Sequence, residues 1–175
     1  MIGSQEEIYF SYNSDCTFPA ASIIKLFILW EFFRQVESNQ IDPNQKISLM
    51  TKERTFGCGV MAYFSDTTRL PLWDLATLMI IVSDNWATNL LIDQLGLESI
   101  NQTCQKEGWK KTKLQRKMMD TTAQSEGRQN DTTPIDTYSL FSKLLAPEAS
   151  ITSENRKRFI EILKGQQFNH KLSTS

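Results

Sequence analysis

From Ser22 the chain runs through IIKLFILWEFFRQV to Val36, apolar on nearly every side of a helix for four turns, with Phe18 and Pro19 just ahead of it. A helix apolar all round offers no face to water, so it must lie at the centre of a core with other elements packed about it. One cation, Lys25, falls inside this run with almost no polar residue near it in sequence. A buried charge without a partner costs several kcal/mol, so a fold that keeps Lys25 there has to supply one.

The rest of the chain reads as elements arranged around that helix. Residues 7 to 13 alternate loosely about Ile8, Phe10 and Tyr12, a period-2 pattern expected of a short strand before the turn-like Asn13-Ser14-Asp15. Pro43 ends the first helix, Lys46 to Thr51 is mixed, and Phe56-Gly57-Cys58-Gly59 is a glycine-bearing turn. Pro71 opens LWDLATLMIIV, a second apolar helix ending at Ser83-Asp84-Asn85, and Trp86 to Leu95 forms a third, closed by Gly96. Leu97 to Gly108 suggests a short helix, Thr121 to Pro134 a polar surface loop, and Ile135 to Leu145 and Ser153 to Leu163 two amphipathic helices before a polar tail. The expectation is a single domain over 1–175, with its helical core at 18–172 and no internal repeat.

Composition removes several function classes. Nineteen basic residues against twenty acidic ones leave a net charge of −1, no footprint for nucleic acid or an anionic membrane surface. His170 is the only histidine, so a site with two imidazole ligands is ruled out and a histidine-based triad is disfavoured. Cys16, Cys58 and Cys104 are scattered, which suggests small buried hydrophobes rather than a disulfide framework or thiolate metal cluster. No metal and no cofactor is expected. No apolar run approaches a bilayer span and no signal peptide precedes the first strand, so the chain as given reads as soluble and cytoplasmic; a preceding signal peptide would make it secreted or part of the cell envelope.

Two short motifs can carry chemistry. Ser22-Ile23-Ile24-Lys25 sets a hydroxyl at a helix start and an amine one turn later on the same face. Serine must lose its proton to a base to act as a nucleophile, and an amine in an apolar helix has its pKa lowered by desolvation. Against this stands a plain alternative, Ser22 as a helix N-cap and Lys25 reaching solvent, since composition gives roughly one such S-x-x-K by chance. Ser83-Asp84-Asn85 is more specific, with roughly 0.04 chance occurrences; its plain alternative is an Asx turn capping the helix at Trp86.

These two motifs, in this order and about sixty residues apart, resemble the signature set S-x-x-K, S-D-N and K-T-G of the class A β-lactamases and penicillin-binding proteins. Phe18 to Lys25 is similar to that family's nucleophile segment, Asp74 to Leu91 to its second-motif helix, and Gly127-Arg128-Gln129-Asn130 with Thr132-Thr133-Pro134 to the following loop. The resemblance spans most of residues 8 to 172. It implies an α+β fold, present mainly as its helical domain. It implies Ser22 as the nucleophile that forms an acyl-enzyme with a β-lactam or D-alanyl peptide, Lys25 as its base and Ser83 as the relay to the leaving nitrogen. Asn85 would bind the substrate's side-chain amide, Asp84 would brace the turn, and the Ser22 N–H would supply half an oxyanion hole.

The sequence also departs from that family. No K-T-G or K-S-G triad occurs, Lys171-Leu172-Ser173 is no substitute, and the chain covers neither the family's first strand nor its last ones, so most of the sheet is expected to be missing. In Leu114-Gln115-Arg116-Lys117-Met118-Met119-Asp120, Met118 stands where β-lactamases carry the deacylating glutamate, with Asp120 and Glu126 as distant substitutes. Slow deacylation follows from that, and so does the alternative of a catalytically incomplete remnant serving as a binding or interaction module. An unrelated helical protein is the third reading. Uncovered sheet edge and apolar surface would favour a homo-oligomer.

Overall fold

The computed structural model describes residues 11–146 and 151–168. Its centre is α1 (Ile24–Glu37), in which Ile24, Phe27, Ile28, Trp30 and Phe32 are fully enclosed. Around it pack α2 (Leu72–Ile81), α3 (Asn85–Leu95) and α4 (Leu97–Lys106), with α7 (Ser153–Lys164) against α2. Edge-on aromatic pairs seal one flank: Phe27 and Trp30 meet Trp109 at 5.1 and 5.2 Å, and Trp30 meets Phe159 of α7 at 6.2 Å. Such edge-to-face pairs add about 1 kcal/mol each beyond the area they bury.

The polar residues of α1 are partnered rather than excluded. Glu31 is wholly buried, and its carboxylate accepts from Arg34 twice, from Gln35 and from Thr103 of α4, which joins the two helices through one satisfied charge.

Strands are few among the described residues. β1 (Phe18–Pro19) pairs antiparallel with β4 (Asp131–Thr132), and β2 (Lys46–Ser48) with β3 (Arg69–Pro71). The strand expected at 7–13 is not found where it can be seen: residues 11–13 form no strand, Asn13 has φ +49°, and residues 7–10 lie outside the described part. His170 and the helical core's expected last residues, 169–172, lie outside it too.

The polar segment from Thr121 to Pro134 is more than a surface loop. It opens with α5 (Thr121–Ser125), capped by Asp120, and ends in β4, with Asn130, Thr132 and Thr133 buried. Thr133 then caps α6 (Pro134–Leu145), and Asp136 in its first turn accepts from the Thr112 and Lys111 amides and the Thr112 hydroxyl. Polarity here reflects buried hydrogen bonding rather than exposure. Of the cysteines, Cys104 alone is a buried hydrophobe, and burial pushes its thiol up to about 12; Cys58 is half-buried and Cys16 exposed.

Candidate active site

Ser22 lies in the tight turn Ala21–Ile23 that leads into α1, and Ala21 before it has φ +45°, a left-handed conformation that an alanine adopts only at a cost. The helix cap is Ile23, which makes no side-chain capping bond, so Ser22 is not spent as an N-cap. Its Oγ lies 2.9 Å from Ser83 Oγ. Lys25 does not reach solvent either: it is 2% exposed.

The sequence showed Lys25 almost without polar neighbours, and the fold brings them from sixty residues away. Its Nζ donates to Ser83 O at 2.7 Å, Ser83 Oγ at 2.9 Å and Asn85 Oδ1 at 3.1 Å. Three acceptors match the three protons of an ammonium. Burial nevertheless lowers Lys25 from 10.5 to about 8, with Cys58 and Asp84 opposing the drop. At neutral pH roughly a tenth of Lys25 is therefore unprotonated.

Ser83 takes φ +53° just after α2, and from this turn Ser83 and Asn85 both face Lys25 while Asp84 faces the other way. Asp84 caps α3, accepting from the Ala87 amide at 2.9 Å with Oδ1, while Oδ2 accepts from Val60 and Met61 at 2.7 and 2.8 Å. The capping reading of this tripeptide is thus correct for Asp84, and it coexists with Ser83 and Asn85 at Lys25. Asn85 donates to Phe56 O at 3.2 Å, and its amide N–H bonds Cys58 O at 3.0 Å, so the 56–59 turn frames the site. Gly59 could be nothing else: at φ +103°, a Cβ would lie 2.1 Å from Asp84 Oδ2.

Opposite Asn85 runs the 113–130 segment. Asn89, one turn along α3, accepts from Met118 N at 2.7 Å and donates to Met118 O at 3.1 Å. Asn130 does the same for the segment's other end, accepting from Gln115 and Arg116 amides and donating to Arg116 O. The Asn130 carbonyl accepts from Ala20 N at 2.7 Å, beside the Ala21–Ile23 turn. Sequence reasoning missed Gly59, Asn89 and Asn130 as builders of the site; the i, i+4 spacing of Asn85 and Asn89 on one helix was the available signal.

A largely apolar cleft of about 1170 Å³ opens beside Ser22, Lys25 and Ser83, with Ile23, Leu26 and Phe141 on its walls. No cluster of metal-ligating side chains occurs among the described residues.

Comparison with known proteins agrees with this architecture. The model of the beta-lactamase enzyme family matches residues 2–175. This chain belongs to that family. It is 24% identical over 158 residues to the imipenem-hydrolyzing beta-lactamase of Enterobacter cloacae, covering 89% of this chain and 54% of that relative. The crystal structure of a beta-lactamase from Sphaerobacter thermophilus superposes with a TM-score of 0.86 at 32% identity, over 91% of this chain and 60% of that one. A variant of PBP-A, solved as its acyl-enzyme complex with penicillin G, superposes at 0.83 with 28% identity, over 91% of this chain and 59% of that one. The chain thus spans about half the length of the curated beta-lactamases it matches, and what it shares with them is the helical part of an α+β fold. Among the described residues no helix is long and apolar enough to cross a membrane.

Proposed function

We propose that this chain carries the acylating centre of a β-lactamase-type serine hydrolase, with Ser22 as nucleophile, a β-lactam or D-alanyl peptide as substrate, and slow hydrolysis of the acyl-serine. The observation that carries this reading is the unbroken hydrogen-bond path from Ser22 Oγ through Ser83 Oγ to Lys25 Nζ, each step 2.9 Å.

The path works in one direction when Lys25 is neutral. Ser83 then donates to the amine, Ser22 donates to Ser83, and the Ser22 oxygen is free to attack. As Ser22 Oγ bonds to the carbonyl carbon, its proton moves to Ser83 and the Ser83 proton to Lys25. The carbon–nitrogen bond breaks, and the leaving nitrogen takes a proton from Ser83, which is refilled from Lys25. With Lys25 protonated the path is reversed and Ser22 is an acceptor, so a pKa of about 8 sets the usable fraction. Asp84 acts only by holding the turn, and Asn85 presents an amide to the substrate's side chain.

Hydrolysis of the ester needs an activated water, and the residue at the matching place is Met118, whose side chain is half-buried against the core. A thioether takes no proton from water, which supports a long-lived acyl-enzyme. For the isolated chain we further propose self-association through Tyr138, Phe141 and Leu145, which form one exposed stripe on α6, testable by sedimentation velocity.

The test is intact-protein mass spectrometry after incubation with a penicillin, beside Ser22→Ala. The expected result is a persistent adduct on the parent and none on the variant. An adduct on both, or on neither in a folded sample, would overturn the proposal.

A further inference from the structure

Met119 holds a backbone conformation that nothing local rewards. Its φ is +61°, in the left-handed region that glycine and asparagine enter readily and a methionine enters at a cost. The residues on either side explain why it is forced there. Met118 is fixed by the two bonds to Asn89, and Asp120 is fixed by capping α5 through the Ala123 amide at 2.9 Å. Between these two anchors the chain must turn, and the turn throws the Met119 side chain out.

That side chain is 55% exposed, yet it does not stand in open solvent. A Cβ added to Gly57 would meet Met119 Sδ at 3.1 Å, its Cε at 3.2 Å and Asn85 Nδ2 at 3.1 Å. The thioether therefore lies on the bare face of Gly57, next to the amide of Asn85. It bridges the 56–59 turn and the 113–130 segment at the end of the site away from Ser83. Asparagine would sit in this φ without strain, so the conformation selects against methionine and the side chain must answer to something else.

We infer that Met119 is a specificity-determining residue: its thioether forms an apolar wall beside Asn85, selecting substrates whose side chain beyond the amide is apolar and preferably aromatic. The inference rests on the acyl-serine reading above. A flexible, polarisable thioether adapts to an aryl group and packs on its edge, and half of its surface remains for that contact. A charged or strongly hydrated side chain would lose solvation against the same wall with nothing in return.

The test compares two penams, one with a phenylacetamido side chain and one with the free 6-amino group, as acylation rate constants on Ser22 by mass spectrometry. The parent should prefer the phenylacetamido penam. In Met119→Ala and Met119→Asn that preference should fall by about three- to tenfold through loss on the aryl penam alone. Met119→Asn should also unfold at no lower temperature than the parent, which separates loss of selectivity from loss of fold. An unchanged preference in both variants, with Ser22 still acylated, would overturn this inference and leave the acyl-serine reading standing. No adduct on the parent with either penam would overturn both.

Discussion

The two sides of the site are built by different means. On one side, Ser22, Lys25 and Ser83 are placed by the packing of α1 against α2 and α3, whose inner faces are wholly enclosed. On the other, the segment with Met118 and Met119 has little regular structure and is held by Asn89, Asn130 and Asp120 bonding its backbone. The first side fixes side chains and so fixes their chemistry. The second fixes main chain and leaves the side chains open to change, so one scaffold can vary the side chains of this segment without moving Ser22, Lys25 and Ser83.

That contrast can be broken most severely at Lys25. Lys25→Met should lower acylation by about 10²- to 10⁴-fold, as expected for loss of a positioned base, measured as the rate of adduct formation. The parent's rate should rise with pH toward a plateau above about 8. Stability carries the same signature. Because the folded pKa is depressed from 10.5 to about 8, the cost of charged Lys25 is full below pH 8 and disappears by pH 10.5. Urea unfolding of parent and Lys25→Met should therefore diverge over that window by about 3 kcal/mol in the parent's favour.

Asp84→Ala should come next, destabilising by about 3–5 kcal/mol, since it leaves three amide N–H groups without their charged acceptor. Its chemical denaturation midpoint reports this directly. A loss under about 1 kcal/mol would mean that water replaces the carboxylate and the helical side is less rigid than described.

Met118→Glu tests the loop side. With the Met118 backbone held by Asn89, a carboxylate there should shorten the adduct's lifetime by about tenfold or more, followed as return of the unmodified mass, while its rate of formation stays close to the parent's. Equal slowing of both steps would show the two sides to be coupled. The smallest effect is expected for Asn130→Ala, which loses three side-chain bonds to residues 115 and 116 but keeps the carbonyl that Ala20 N meets. Stability should drop by about 2 kcal/mol and acylation by less than about threefold.

The same division explains what could be read in advance. The all-round apolar run gave α1 and its central place, and the closing Gly96 gave the end of α3, because periodicity and capping are local signals. The meeting of Ser22, Lys25 and Ser83 was legible from two motifs and a family resemblance. What escaped is non-local. The three acceptors around Lys25 arrive from the turn between α2 and α3 and from the first residue of α3, β1 and β4 pair only two residues each, and the buried threonines at 132 and 133 resemble any polar loop until Thr112 and Asp136 come into contact with them. Ser22 escapes its capping role through the left-handed Ala21, a strained angle that no periodicity announces.

Asp84 joins its two neighbours so closely that they share one fate. Its carboxylate accepts from Val60 and Met61 with one oxygen and from Ala87 with the other. In hydrogen-exchange terms, the amides of residues 60, 61 and 87 should open as a single event with one free energy, despite lying on separate stretches of chain. The 56–61 turn then cannot fray independently of α3, and the site is lost as a unit or kept as one.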